Sequence, residues 1–315
     1  MTSPSLPSQP PPRPPEHQQE GWYLAADSTW RKSATPPGPG WWLASDQRWY
    51  PPEAAMSPAA VQADGDEAWR TSRWGFGEFG WGMLVFFAGS MIFSVLLIAV
   101  MVANGDLDSG TTDTSDIEIG VWAISAALMV NFVAFIGVPY AATRYKGQGS
   151  LARDFGLSFK WVDIPIGVAG GLVALIGGGM LGTAIDSILG AEEATSNVPV
   201  ESVNGWLEFV VLLTGVGILT PLAEELFFRG LVLRAGLKRG WSVTLSVVVT
   251  TAIFMLPHLA SVPEWPGVVT LAAVITLFGL VLAMLTVWTK LRLGAAIIAH
   301  LLINSTAVFI EFWPG

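Results

Sequence analysis

Residues 210–229 read VVLLTGVGILTPLAEELFFR. The apolar first half, extended back to Trp206, has the composition of a lipid-spanning helix, which needs about 20 predominantly apolar residues. The second half carries Glu224, Glu225 and Arg229. A charge at the centre of a membrane helix costs about 2.5–3.5 kcal/mol, so three independent charges facing lipid would cost on the order of 8–10 kcal/mol. They must therefore face protein or water. At about 100° per residue, Glu225 and Arg229 share one stripe, whereas Glu224 lies about 140° around from Arg229. One glutamate thus has a partner within its own helix and the other does not. The spacing assigns Glu225–Arg229 a structural role and Glu224 a chemical one, that of a general base in a partly dry cleft. A buried electrostatic staple without chemistry is the competing reading of the same three residues.

The rest of the chain agrees with a membrane setting. Only 13% of its 315 residues are charged and 52% are hydrophobic, against about a quarter charged in soluble domains. Cysteine is absent, which removes disulfides, thiolate metal sites and cysteine nucleophiles. A net charge of −9 with no basic patch argues against nucleic acid as a partner. Apolar stretches fall at Gly80–Ala103, Glu118–Ala142, Asp163–Leu189, Trp206–Arg234, Trp241–His258, Val268–Trp288 and Leu293–Phe312. The fold class expected is all-α, a polytopic membrane helix bundle of about seven spans. Glycines concentrate in the third stretch, where small residues allow close helix approach. Trp74 and Trp81 are expected as interface anchors of the first span.

Lysine and arginine alternate between connecting segments. Arg70 and Arg73 precede the first span; Arg144, Lys146, Arg153 and Lys160 follow the second; Lys238 and Arg239 follow the fourth; Lys290 and Arg292 follow the sixth. The intervening segments hold none. On the positive-inside rule the N-terminus is cytoplasmic in a multi-pass cell-membrane protein, and the C-terminus is outside if seven helices cross.

Residues 1–75 form a separate region rich in Pro, Ser and Trp, without an apolar run, and are expected to be a largely disordered cytoplasmic tail. The tail contains a repeat. Gly21-Trp22-Tyr23-Leu24-Ala25-Ala26-Asp27 with Trp30 matches Gly40-Trp41-Trp42-Leu43-Ala44-Ser45-Asp46 with Trp49, at an offset of 19 residues (40 − 21). The pattern resembles short Trp-rich modules found beside bacterial membrane domains. A minimal aromatic hairpin, a motif docking a cytoplasmic partner and an unstructured linker all fit it. Residues 76–315 make up the membrane domain.

Two histidines lie in separate apolar segments. His258 closes Phe254-Met-Leu-Pro-His258, and His300 opens His300-Leu-Leu-Ile-Asn304, so each shares a helix face with the residue four away. Asn131 and Asp186, the other strongly polar residues deep in the spans, have no such companions and read as structural hydrogen-bonding positions. Pro221 and Pro257 sit just before the glutamate pair and His258, where a bend would open room beside polar groups.

Taken in order, Glu224-Glu225-x-x-x-Arg229, Phe254-x-x-x-His258 and His300-x-x-x-Asn304 resemble the three motifs of the CPBP family, the CAAX-processing and bacteriocin-processing intramembrane endopeptidases also called the ABI family. The likeness runs from about Trp161 to the C-terminus. It implies hydrolysis of a peptide bond in a membrane-associated protein or peptide within the lipid bilayer. Carried over residue by residue, it implies that Glu224 and His258 handle the water, that His300 and Asn304 stabilise the oxyanion, and that Glu225 and Arg229 orient the site. Two histidines and a glutamate also make a plausible zinc set, Glu224, His258 and His300, as in a metalloprotease; a metal-free glutamate mechanism uses the same residues, and spacing separates neither. A non-catalytic scaffold or bacteriocin-immunity-type protein on the same fold is the second reading. An ion-coupled transporter is a third, weakened because every charged or histidine motif falls after residue 220 with no matching half. One difficulty accompanies the assembly. Counted at 1.5 Å per residue, Glu225 lies about 20 Å from Lys238, His300 about 12 Å from Arg292 and His258 about 26 Å from Trp241. A tilt, the Pro257 bend or a later helix start has to close the gap.

Overall fold

A computed structural model describes residues 69–105, 120–190, 203–261 and 265–313, together with four short strands in the N-terminal region. The chain divides into two units, Met1–Glu67 and Ala68–Gly315. The second starts earlier than the expected 75/76 division because Trp69 and Trp74 are buried in it.

In the first unit each copy of the repeat forms one antiparallel hairpin. Strand β1 (Trp22–Leu24) pairs with β2 (Trp30–Lys32), and β3 (Trp42–Leu43) pairs with β4 (Trp49–Tyr50). Leu24 lies opposite Trp30 and Leu43 opposite Trp49; Tyr23 lies opposite Arg31 and Trp42 opposite Tyr50. Both strands have moved by the same 19 residues, so the two hairpins share one register. The aromatic-hairpin reading describes these segments; the disorder expected of the tail concerns residues that lie outside the described ones.

The second unit is helical. Among the described residues six helices are long and apolar enough to cross a membrane: α1 (Phe76–Asn104), α2 (Val121–Lys146), α4 (Asp163–Leu189), α5 (Trp206–Lys238), α7 (Trp265–Trp288) and α8 (Gly294–Phe312). A seventh apolar helix, α6 (Val243–Met255), is shorter and continues as a tight 3₁₀ turn, Leu256–Ser261. Between α2 and α4 lies the five-residue α3 (Leu151–Phe155). The boundaries follow local chemistry. The Ser242 hydroxyl accepts from the Leu245 N–H at 3.1 Å and caps α6. The Glu78 carboxylate accepts from the Gly75 N–H at 2.6 Å at the start of α1.

Helix α4 packs along both α7 and α8, and its glycines make this possible. A Cβ on Gly167 would stand 2.6 Å from the Ala295 carbonyl oxygen, and one on Gly178 2.5 Å from the Phe278 ring. Helices α2 and α5 are interrupted by wide π-turns, at Val133–Gly137, Leu213–Leu219 and Glu225–Leu233. Such turns shift the side-chain stripe of a helix and are frequent at functional sites. All nine residues of Glu225–Leu233 are buried, which makes this charged segment the centre of the bundle.

The basic segments converge at one end. The Arg73 N–H donates to Lys146 O at 2.7 Å, and Lys238 Nζ donates to Ser72 O and Trp74 O at 2.7 and 2.5 Å. Arg234 donates to Leu291 O at 2.7 Å, and Arg292 pairs with Asp163 at 2.6 Å. The knot in this layer is Asp154, on α3 and fully buried. Its Oδ1 accepts from Ser72 Oγ and Trp74 Nε1, each at 2.8 Å; its Oδ2 accepts from the Gln148 N–H at 2.7 Å and from Thr143 Oγ1. Trp74 is therefore a buried donor rather than the lipid-interface anchor expected of it, while Trp81 is 63% exposed and is free to serve as one. Gly156 closes α3 at φ +73°, and a Cβ there would stand 2.2 Å from Leu291 O.

Burial alone would push the Asp154 carboxyl up, but the hydrogen bonds from Thr143, Trp74, Ser72 and Gln148 outweigh it and hold the group below its usual 3.8. A carboxyl depressed in the folded state adds stability above its unfolded value, and that stability is lost as pH falls through the folded one. Asp154→Ala, which leaves several donors without an acceptor, is expected to cost about 3–5 kcal/mol at pH 7. In thermal unfolding of the detergent-solubilised protein, the wild-type advantage should shrink below about pH 4; an advantage that stayed constant down to pH 2 would contradict this account.

Candidate active site

Helix α5 carries both glutamates and the arginine. Arg229 Nη1 donates to Glu225 Oε1 at 2.8 Å, and both side chains are fully buried. Arg229 Nη2 donates to Gly279 O of α7 at 3.2 Å. Its guanidinium carbon lies 4.3 Å from the centre of the Phe254 ring, a distance at which cation and ring face attract. Two buried atoms, Glu225 Oε2 and Arg229 Nε, have no hydrogen-bond partner among the described residues.

Helix α8 supplies His300, whose Nδ1 donates to Glu225 Oε1 at 2.8 Å. A carboxylate on one ring nitrogen fixes both the orientation and the tautomer of an imidazole. The other nitrogen, Nε2, then faces Glu224 Oε2 at 3.7 Å. Glu225 thus serves Arg229 within its helix and His300 across the bundle through the same oxygen. Asn304, one turn further along α8, donates its amide to Val216 O in the first π-turn of α5 at 3.1 Å.

His258 lies on the 3₁₀ turn beyond α6. Its Nδ1 is 2.9 Å from Phe254 O; a carbonyl only accepts, so Nδ1 carries the proton and Nε2 is the acceptor nitrogen of the neutral ring. Phe254 is the hub that brings the segments together. Its ring centre lies 4.9 Å from that of His258, 5.9 Å from that of His300 and 5.2 Å from that of Phe228. The depth mismatch counted along straight helices does not keep the segments apart: His300 reaches Glu225 at 2.8 Å, and α6 ends at Met255, leaving Pro257 and His258 on a separate turn.

Glu224 and His258 line one cavity of about 210 Å³ together with Phe86, Asn131, Phe135, Phe228 and Pro257. At roughly 30 Å³ per water it holds several. His300 and Asn304 do not line it: His300 stands behind Glu224, and Asn304 is engaged on Val216. Asn131 does, although its sequence context read as a structural hydrogen-bonding position. That role belongs to Asp186 alone, whose Oδ1 accepts from Thr270 Oγ1 at 2.5 Å. Nothing near Asn131 in the sequence marks it, because its companions come from α5 and α6. The three groups proposed for zinc are not gathered as a ligand set. Among the described residues no three His, Asp or Glu side chains could hold a metal ion. The arrangement does not fit a resident metal.

A buried polar cluster thus lies beside a cavity large enough for several waters, within a bundle of helices long enough to cross a membrane. Residues 206–306, the segment that bears all three motifs, match the family model described as type II CAAX prenyl endopeptidase Rce1-like. The likeness to CAAX-processing membrane proteases is thereby shown, and it supports a CAAX-endopeptidase-type protease in a multi-pass membrane protein. No curated protein and no solved structure matches the chain.

The ion pair gives a stability test. Arg229→Met strands the Glu225 charge in the core and should cost about 3–5 kcal/mol. Adding Glu225→Gln removes that charge while leaving an acceptor for His300, so the double variant should be more stable than Arg229→Met by about 1–3 kcal/mol. A double variant that unfolds at lower temperature than Arg229→Met would contradict the pairing.

Proposed function

We propose that the protein is an intramembrane endopeptidase that hydrolyses a peptide bond of a membrane-associated protein or peptide with a glutamate-activated water. The observation that carries the reading is the unequal placement of adjacent glutamates. Glu225 is sealed between Arg229 and His300, while Glu224 faces a cavity that it shares with His258. In this mechanism Glu224 takes a proton from a cavity water. The Nε2 lone pair of neutral His258 accepts the water's other proton in a hydrogen bond, which aims the oxygen at the scissile carbonyl carbon. The water oxygen bonds to that carbon as the carbonyl pair moves onto its oxygen. On collapse the C–N bond breaks, and protonated Glu224 returns its proton to the leaving nitrogen. Glu225 holds His300 so that its ring stands behind the Glu224 carboxylate, with Nε2 3.7 Å from Glu224 Oε2. No step is routed through a metal.

The substrate's apolar part has a candidate seat as well. A second hollow of about 250 Å³, bounded by α2 and α5 and lined by Leu128, Met129, Phe132, Val211 and Leu219 among others, is almost wholly apolar. Its chemistry suits an alkyl or isoprenoid chain, in keeping with the family description. The end of the bundle that gathers the basic segments is taken as cytoplasmic.

Two measurements test these statements. With a fluorogenic farnesylated C-a-a-X peptide, Glu224→Gln should fold as wild type but lose at least about 10³-fold in kcat. Wild-type cleavage should survive 1,10-phenanthroline undiminished; cleavage by Glu224→Gln at wild-type rate would remove the glutamate from the mechanism. For orientation, the cysteine-free chain permits clean labelling: a thiol from Arg153→Cys should react only from the cytoplasmic side, and one from Asn104→Cys, exposed at the far end of α1, only from the opposite side. Reversed labelling would invert the topology.

A further inference from the structure

The π-turn Leu213–Leu219 of α5 meets a different neighbour on each of its two sides. On one side three successive carbonyls of the turn take side-chain donors. Thr220 Oγ1 donates to Gly215 O at 3.0 Å, the Asn304 amide to Val216 O at 3.1 Å and Ser305 Oγ to Gly217 O at 3.3 Å. Two of these donors belong to α8, the helix that carries His300. On the other side Thr214, Gly215 and Leu219 of the same turn help to line the apolar hollow, across from Leu128, Met129 and Phe132 of α2. The hollow and the Asn304 bond are therefore separated by one turn of backbone.

That turn can change shape at low cost. Side-chain donors offer its carbonyls an alternative to the helical ladder, and wide turns of this kind are frequent at functional sites. Gly215 and Gly217 are weak helix formers. The wall of α2 closes tightly on the turn: a Cβ on Gly215 would stand 2.9 Å from Leu128 Cδ1. An apolar occupant shifts such a turn only if it binds one arrangement better than another. Here the occupant lies against Gly215 and Leu219 themselves, so its contacts change whenever the turn does. Asn304 feels the result. It sits one helical turn beyond His300, whose Nε2 is 3.7 Å from Glu224 Oε2, and Cβ atoms four residues apart on a helix are about 5–6 Å apart. The family resemblance gives its amide a share in stabilising the oxyanion, yet that amide is bonded to Val216 O and does not line the Glu224 cavity.

We propose that this is a resting arrangement, and that an alkyl or isoprenoid chain seated in the hollow between α2 and α5 activates the enzyme by moving the π-turn and freeing the Asn304 amide from Val216 O. The inference rests on the endopeptidase reading above and on the hollow as the seat of an apolar chain. It makes the hollow a switch as well as a binding site. The chain raises kcat and not affinity alone, and a peptide without a lipid is cut slowly because nothing loosens the bond to Val216 O. The Ser305 hydroxyl, a second tie from α8 to the same turn, helps to hold the enzyme at rest.

The test uses the full chain in a sterol-based detergent, which brings no alkyl chain, and a fluorogenic C-a-a-X peptide without a lipid. Farnesol added separately should raise kcat for this peptide at least about fivefold, with KM changed by less than about twofold. Oleyl alcohol distinguishes the sources of the chain: activation by farnesol alone assigns the hollow to a substrate's isoprenoid, and activation by both assigns it to any apolar chain, bilayer lipid included. Ser305→Ala removes one tie to the turn and should raise the rate without farnesol about two- to tenfold, the range that one hydrogen bond commands. A damaged fold does not produce such a gain. Ser125→Phe, which fills the hollow from α2, should respond to farnesol by less than about twofold. The activation is overturned if farnesol leaves wild-type kcat within about twofold or lowers it, as it would if the hollow served only to hold the substrate. It is overturned equally if Ser305→Ala is no faster than wild type without farnesol, or if Ser125→Phe responds to farnesol as wild type does. Glu224→Gln separates this inference from the reading beneath it. If that variant cleaves as wild type does, or if wild type cleaves neither the plain nor the farnesylated peptide, the endopeptidase reading fails and the activation falls with it. If Glu224→Gln is inactive, wild type cleaves the farnesylated peptide and farnesol does nothing for the plain one, only the activation fails.

Discussion

Glu225 and Arg229 form an ion pair from which both side chains have lost all contact with solvent, and the arrangement of the bundle follows from that burial. Two charges taken out of water are tolerable only when their partners are many and well placed. Each neighbour can be seen supplying one. Helix α7 gives the Gly279 carbonyl, α6 the face of the Phe254 ring, and α8 the His300 ring proton. Those three helices are thereby held at a fixed distance from α5, and His300 acquires its orientation in the same stroke. The pair is expensive, yet any of the three contacts would be left with an uncompensated partner if α5 moved.

The chemistry proposed for the site is a by-product of this asymmetry. Adjacent residues on a helix point about 100° apart, so sealing Glu225 into the core turns Glu224 away from it, towards the gap between α1, α2 and α6. Phe86, Phe135 and Phe228 shape that gap, and Pro257 ends the regular part of α6 so that His258 can return to it. A carboxylate, an imidazole with a defined tautomer and an amide donor meet there across three helices. The hollow they share, about 210 Å³, has room for several waters beside these polar groups.

Much of this was legible in the amino-acid order. Apolar runs of spanning length located the helices to within a few residues, and the four-residue step from Glu225 to Arg229 announced the pair. The 19-residue repeat admitted two like hairpins as one of three readings, and nothing in it gave their register. Other features were invisible because they depend on which helices touch. Asn131 and Asp186 look alike as isolated polar residues in apolar segments; only packing gives Asp186 a threonine and Asn131 a cavity. Asp154 lies in a five-residue helix that no periodicity marks, yet it gathers four donors from three segments. Trp74 looked like an interface residue and proved to be one of those donors. The depth argument misled because it assumed straight helices that begin at the first apolar residue.

The glycines of α4 bear on how this sequence can change over time. Where a missing Cβ is filled by the backbone of α8 or the ring of Phe278, even alanine would need a neighbouring helix to retreat, so those positions should drift very little in any lineage. Helix α1, whose outward residues such as Phe87, Met91, Val95 and Leu96 are more than half exposed, demands only that its replacements stay apolar. Inherited variation should therefore accumulate on one flank of the bundle and stall on the other, leaving a record of which side faces neighbouring helices and which faces lipid.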